Sequence, residues 1–508
     1  MTEIDGVGQP KSGVLALKLE TCRCGNSVAT LPGAYRVCGG SRAGQPARRR
    51  GLGTPVAPVR KEVNVRVTEH LIASIRTGDI ERVHSLLWEL RDVDLAGEVG
   101  STLLREAAVA GHAEIVEQLL WSGANPNRSR SSGVEPVSWL AEHGAWNVLL
   151  RVLPTHTHPS LPTVPEQSLR AALHLARAWL TVDPEQELCR RLDAVGDPAT
   201  VVDRDRMPAW LDGGPMAVRV RVRTGDGRQD QVWAAHRAVV TLLEEKLGIL
   251  TPCDELAERA MHSADRDSWD AAQAYTTIVQ RAERDAEVFD WLAARLAHPT
   301  TKERLFAAEI VYGLSFDQRP FGARALDALA ARLRNEPDPT VLDNLIGAFA
   351  EYSIRARPGT HLLEILPHAH HSDPSVRARV AMELICVTGS RRDSTLPAPA
   401  RPPQPVLITT LIELAEDLVP ETRTAALGTL ANAYLNTAQV HAVLTAHLTD
   451  PHPPARILAA VGLALRNDLR GREALRRMEA DPVTAVIARE WFAELDRTLA
   501  RQPPPPQH

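Results

Sequence analysis

The sequence predicts an all-α repeat solenoid carrying one small β-hairpin in a connector, and three observations predict it. Gly78, Gly111 and Gly144 stand 33 residues apart, as do Leu87, Leu120 and Leu153, and the pairs Trp88 with Trp121 and Gly100 with Gly133 keep the same interval. A fixed period of this size marks units of two helices that bury their apolar faces only by stacking on copies of themselves. In the C-terminal half, proline turns precede amphipathic stretches at Pro299, Pro339, Pro374, Pro420, Pro451 and Pro482. Finally, aromatic residues make up 4% of the 508-residue chain against 44% apolar overall, a stock of Ala, Leu and Val that suits helix pairs better than a sheet sandwich.

The length exceeds what one core supports, so several domains or a repeat array are required. Only five of the basic residues are lysines (Lys11, Lys18, Lys61, Lys246 and Lys302), a bias that goes with a GC-rich bacterial genome and is silent about function. Residues 1–66 hold 11 of the 58 Lys and Arg but 4 of the 63 Asp and Glu, which leaves 47 basic against 59 acidic side chains in the remainder. An acidic body repels phosphate backbones, which argues against nucleic acid as a partner. No run of about 18 apolar residues is present to span a bilayer, the N-terminus lacks a secretion pattern, and six cysteines fit a reducing compartment. A cytoplasmic protein without a membrane partner is expected.

Residues 1–66 are rich in Gly, Arg, Pro and Val without periodicity and contain the run Arg48-Arg49-Arg50. Disorder or an over-extended gene start is expected there, with the ordered chain beginning at Val67 and its first helix at Thr68. Cys22, Cys24 and Cys38 lack the spacing and the fourth ligand of a zinc site.

Residues 67–155 hold three copies of the 33-residue unit. The central copy has Thr102, Ala107-Ala108, Gly111-His112, Leu119-Leu120 and Gly123-Ala124, with Leu103 and Arg105 where a Thr-Pro-Leu-His signature has Pro and His. It resembles the ankyrin repeat. The resemblance implies a protein-binding scaffold in which the two residues before each turn glycine line an inner face: Arg76 and Thr77, Val109 and Ala110, Glu142 and His143. It adds hairpin-tip positions Glu98, Val99 and Ser101, then Ser131, Ser132 and Val134 in the next copy, flanked by Arg128 and Arg130. Trp139 and Trp146 either extend this surface or close the core.

Residues 156–250 form a linker and an α+β connector. Pro154, Pro159, Pro162 and Pro165 bar a helix; His156 and His158 have no nearby Cys, Asp or Glu to complete a metal site. Helical periodicity resumes at Leu169, Leu173, Ala176 and Leu180. Val218, Val220 and Val222 alternate with Arg219, Arg221 and Arg223 ahead of Thr-Gly-Asp-Gly, which predicts a half-buried hairpin with valines packed and arginines outward. His236 reads as a cap or packing residue.

Residues 251–499 repeat less regularly. Asp can cap a helix and Pro fits its first turn, so Asp-Pro is a start signal with a mechanism. A basic residue follows three places after Pro299, Pro374, Pro420 and Pro453, namely Lys302, Arg377, Arg423 and Arg456. These Asp-Pro-x-x-Arg turns resemble those of short HEAT repeats of the kind found in bilin lyases. The full expectation is an ankyrin stack followed by a HEAT-like α-α superhelix, ending in a Pro-rich tail at 500–508. The basic series is expected to form a ladder with turn carbonyls and Asp carboxylates rather than a nucleic-acid track.

No nucleophile elbow, phosphate loop or carboxylate dyad is present, and His368, His370 and His371 do not share a face well enough to hold a metal. No cofactor is expected. The reading is a non-catalytic, monomeric interaction scaffold or adaptor whose partner is another protein. The alternatives are a HEAT-like solenoid enzyme of lyase or DNA-glycosylase type, and a nucleic-acid adaptor.

Overall fold

A computed structural model describes residues 58–89, 95, 98–126, 136–153, 163–210, 213–263, 265–316, 321–356, 361–390, 403–480, 484–485 and 489, with side chains from Val67. Arg128, Arg130, Ser131, Ser132 and Val134, like Cys22, Cys24, Cys38, His156 and His158, lie outside the described residues, and the side chain of Glu98 does too. The chain is mostly helical and divides into two compact units between Ile278 and Val279.

The first unit opens with three helix pairs: α1 Pro58–Thr77 and α2 Ile80–Glu89, α3 Glu98–Ala110 and α4 Ala113–Trp121, α5 Pro136–Glu142 and α6 Trp146–Val152. The first helix therefore starts at Pro58 rather than Thr68, with proline at its first turn, where the missing N–H costs nothing. The 33-residue period has a backbone cause. Gly78, Gly111 and Gly144 have φ of 74°, 82° and 67°, and each ends a helix with the same two hydrogen bonds. At the central turn Gly111 N–H donates to Ala108 O and His112 N–H to Ala107 O, both at 3.0 Å. The same two bonds recur around Gly78 and Gly144. This left-handed cap excludes a Cβ at little cost only in glycine. Between the helices, Leu71, Ile75, Val83, Leu103, Ile115, Leu119 and Leu149 are fully buried.

After α7 Glu166–Ala178, a short turn at Trp179–Thr181 and α8 Pro184–Arg191, the chain forms a three-stranded antiparallel meander, β1 Val201–Trp210, β2 Gly213–Arg223 and β3 Gln229–Trp233. The expected hairpin is β2 and β3; β1 is added along its edge. Val220, Val222 and Val232 pack on Trp179, Leu188 and Leu192 in a small second core. The arginine face is not simply outward. Arg219 pairs with Asp205 across β1, Arg223 with Asp203 at 2.9 Å, and Arg221 Nε donates to Gln231 Oε1 at 3.1 Å. The unit closes with α9 His236–Lys246, α10 Cys253–His262 and most of α11 Trp269–Ala282. Here Trp146, fully buried, donates from Nε1 to Gln273 Oε1 at 2.8 Å. That side chain belongs to the core.

Two buried ionisable groups give this unit opposed pH dependences. Burial drives the His236 imidazole down to about 4, against the pull of Glu142 O, which its Nε2 meets at 2.9 Å. Burial drives the Asp270 carboxyl up to about 6, against the N–H of Ala238 that it accepts at 2.7 Å. For His236 the unfolded chain takes the proton first, so its stability is lost as pH falls from 6.5 through about 4. For Asp270 the folded chain takes it first, so stability is lost as pH rises from 3.8 through about 6. Asp270→Asn keeps an acceptor for Ala238 and removes the second penalty. It is expected to raise stability at pH 7 by roughly 2–3 kcal/mol and to steepen the acid-side loss, read from thermal midpoints between pH 4 and 7.

The second unit runs through α12 Ala286–Arg295, α13 Thr301–Leu314, α14 Gly322–Leu333 and α15 Pro339–Ala356, then a 3-10 segment His361–His370. It continues with α16 Pro374–Glu383, α17 Ile385–Thr388, α18 Pro405–Ala415, α19 Pro420–Asn432, α20 Ala438–Ala446, α21 Pro453–Ala464 and α22 Leu469–Glu479. Helices α13, α15, α16, α19 and α21 each pack on the next. Proline opens α16, α18, α19 and α21.

The arginine ladder joins these turns. Arg377 Nη1 donates to His371 O and Ser372 O at 2.8 and 3.1 Å, while Nε and Nη2 grip Asp417 at 2.7 and 2.9 Å. Arg423 likewise takes Asp417 O and Leu418 O and both oxygens of Asp450. Arg456 takes Asp450 O and Pro451 O at 2.7 and 3.0 Å. At the first turn the rung is Arg304, not Lys302: it donates to His298 O and Pro299 O and pairs with both oxygens of Glu336. Pro299 precedes the helix cap Thr300, whereas Pro374 follows its cap Asp373, so counting from proline misplaced the rung by two residues. Burial opposes ionisation of Asp450, but Arg423, the His452 N–H and His447 outweigh it and hold the carboxyl at about 2. Arg423→Ala removes two charge-assisted bonds from that buried carboxylate, leaving it His447 and the His452 N–H, and should cost about 2–3 kcal/mol; chemical denaturation of the two proteins side by side measures it.

Candidate protein-binding surface

The inner face expected to recognise a partner is largely occupied by the chain's own sheet. Val109 and Ala110 are half-buried, and Val109 O accepts Gln231 Nε2 from β3 at 2.6 Å. His143 is 7% exposed; its Nδ1–H donates to Trp139 O at 2.8 Å, its Nε2 lies 3.5 Å from Asp230, and its carbonyl accepts the Trp233 N–H at 2.9 Å. Glu142 is half-buried and pairs with Arg191 at 2.8 Å. Asn147 Nδ2 bridges Gly111 O and Ala209 O of β1 at 2.9 and 3.2 Å. The glycines permit this close approach: a Cβ at Gly111 would stand 3.3 Å from the Trp233 ring, and one at Gly144 2.2 Å from Trp233 O.

Of the three inner pairs, Arg76 and Thr77 are both exposed. Arg76 pairs with Glu106 at 2.9 Å, and the Thr77 hydroxyl donates to Ser74 O at 3.1 Å. Val99 is half-buried against the core and Ser101 is buried. Ser101, Leu104, Arg105, Trp139 and Val148 line a cavity of about 150 Å³, and Trp139 stacks on His143 at 4.1 Å. The structure thus groups Val109, Glu142, His143 and Trp139 beneath or beside β3, and sets Arg76 and Thr77 apart from them.

The second helices of the first two pairs carry a feature that the sequence showed only as periodicity. Trp88 and Trp121 are 70% and 72% exposed, at the C-terminal ends of α2 and α4. They border a groove of about 620 Å³ whose floor includes Ile80, Leu87 and Leu95.

Other candidates resolve as structure. His236 stacks on Trp179 at 5.0 Å, the packing role expected of it. His371 Nδ1 accepts Asp373 N–H at 3.0 Å at a helix start. Among the described residues, the group near enough to share a metal ion is Glu351, Glu383 and Cys386 rather than the histidines; the Arg379 guanidinium lies 3.4 Å from Glu383, so a cation already stands beside that carboxylate.

Residues 99–131 match the family model for the Ankyrin repeat. The interval covers nearly all of α3, all of α4 and the chain just beyond, the central copy of the 33-residue unit. Ankyrin repeats typically bind other proteins and are generally non-catalytic. No curated protein matches the chain. Among solved structures, the X-ray structure of YibA from Escherichia coli is similar at 16% identity with a TM-score of 0.36, covering 51% of this chain and 96% of that one. Among the described residues, no helix is long and apolar enough to cross a membrane.

Proposed function

We propose that the protein is a non-catalytic interaction scaffold, a monomer of the cytoplasm, which joins an ankyrin stack to a HEAT-like solenoid and binds another protein. The observation that carries this reading is the ankyrin repeat at residues 99–131 with an exposed end to its inner face at Arg76 and Thr77. Those two residues are the described candidate contacts that stay exposed; Glu98, Arg128, Arg130, Ser131, Ser132 and Val134 remain candidates from the sequence in this reading. Val109, Glu142 and His143 act instead in fixing the sheet. The arginine row on β2 gives a nucleic-acid reading no support, since Arg219 and Arg223 face Asp205 and Asp203.

Anchors of an interface commonly provide most of its binding energy. Arg76→Glu combined with Thr77→Asp is therefore expected to abolish recovery of a native partner in a pull-down while circular dichroism stays unchanged. Undiminished recovery with that double variant would remove the inner face from recognition.

A further inference from the structure

We propose that the exposed end of the inner face, around Arg76, Arg105 and Arg221, binds an acidic linear segment of the partner protein. This rests on the inner-face reading and adds the chemistry of the occupant. Two guanidiniums there share one carboxylate: Arg76 Nη2 lies 2.9 Å from Glu106 Oε2, and Arg105 Nη2 lies 3.1 Å from Glu106 Oε1. The Glu106 side chain is 13% exposed, whereas those of Arg76 and Arg105 are 66% and 41% exposed. The acid is covered and the arginines face water, which leaves one positive charge without a counterpart.

A second excess charge arrives with the sheet. In the register of the meander Arg221 stands opposite Asp203 on one side and Gln231 on the other, and residues so opposed share a face. Asp203 is taken by Arg223 at 2.9 Å, and the Asp205 carboxylate, on which Arg221 also acts, is held by Arg219. Arg221 itself donates from Nε to a neutral acceptor, Gln231 Oε1. The nitrogen of that same amide donates to Val109 O at 2.6 Å, one turn of α3 beyond Arg105, or about 6 Å along the helix axis. One glutamine thus ties Arg221 to the helix that carries Arg105. His112 connects the sheet with the Arg76 turn: a Cβ on Gly78 would stand 2.9 Å from its ring, and its imidazole is lowered by burial, against the pull of Arg76 O, with the charge of Arg219 adding to the lowering.

Across this face Arg76, Arg105, Arg219, Arg221 and Arg223 stand against Glu106, Asp203 and Asp205, five charges against three. The chain beyond residue 66 is acidic as a whole, with 47 basic and 59 acidic side chains, so a local positive excess steers an acidic segment here and repels a basic one. Arginine also takes carboxylates two bonds at a time. Nucleic-acid binding draws on many more neutralised phosphates than this excess supplies.

The test uses the full chain and fluorescein-labelled peptides of equal length bearing glutamates, glutamines or lysines at the same positions. Fluorescence anisotropy should show saturable binding of the glutamate peptide alone, weakened about tenfold by Arg76→Gln with Arg105→Gln and several-fold by Arg221→Gln. Glu106→Gln should strengthen it several-fold, because both guanidiniums lose their shared acid; damage to the fold would not raise affinity. Circular dichroism of each variant should match the parent. Equal binding of the glutamine peptide, an affinity that ignores the arginine changes, or displacement of the glutamate peptide by an equal concentration of single-stranded DNA would overturn the proposal. The inner-face reading fails separately, when Arg76→Glu with Thr77→Asp leaves native-partner recovery whole. Loss of that recovery without any glutamate-peptide binding keeps the inner face and removes its acidic occupant.

Discussion

Replacing Trp233 with alanine is expected to cost about 3–5 kcal/mol. The indole is fully buried and lies in contact with Gly111, while its backbone N–H and carbonyl meet His143 and Gly144. Truncation leaves a cavity between β3 and two repeat turns, and the turns cannot close over it because their glycines are already the smallest residue available. The damage should reach the inner face: Val109, Ala110, Glu142 and His143 would lose their cover, and limited proteolysis should cut the sheet before the helices. Trp233→Phe, which keeps most of the contact, should recover the greater part of the loss. An alanine variant as stable as the parent would mean that the sheet does not brace the repeats.

The second large effect is expected at Arg466, in the other unit. Its guanidinium has five N–H groups, and five carbonyls accept them: Leu435 O from Nε, Ala431 O and Gly462 O from Nη1, Leu430 O and Ala433 O from Nη2, at 2.7 to 3.0 Å. Leu430 and Ala431 lie in the last turn of α19, whose carbonyls have no helical partner and carry the negative end of the helix dipole. The residue is 9% exposed, so water does not readily replace it. Arg466→Ala should lower the stability of the second unit by about 3–5 kcal/mol. Arg466→Lys should restore little, because an ammonium has three donors and no planar fork. Denaturant titration followed by hydrogen exchange, which reports each unit separately, distinguishes this from a global effect.

How much of this was legible beforehand follows from which interactions are local. The glycine period was visible because each cap needs a positive φ at one fixed place, a demand met within six residues of backbone. The rungs at Arg377, Arg423 and Arg456 were visible because a proline at the first helical turn marks the frame; Arg304 was missed where the proline stands one place before the cap. Strand β1 was missed because its alternating Asp203, Arg204, Asp205 and Arg206 carry charge on both faces, and its pairing with β2 depends on Arg219 and Arg223 well over ten residues away. The inner-face positions follow from a repeat motif, which describes one repeat against the next. It contains nothing about a sheet arriving from residues 201–233. Arg466 offered no motif at all, since its five acceptors are backbone carbonyls, which every sequence contains.

Strand β3 docks on the turns of the second and third repeats and takes over the inner face there. The most direct measurement is the hydrogen-exchange rate of the Trp233 amide. Gln229–Trp233 is an edge strand, and the Trp233 N–H donates to His143 O across the contact at 2.9 Å, so its protection reports docking and not sheet formation alone. This amide is expected to exchange as slowly as those of Leu119 and Leu149 in the buried helices, and to speed up several-hundredfold in Trp233→Ala. Fast exchange in the parent protein, at the rate of an exposed strand edge, would contradict it.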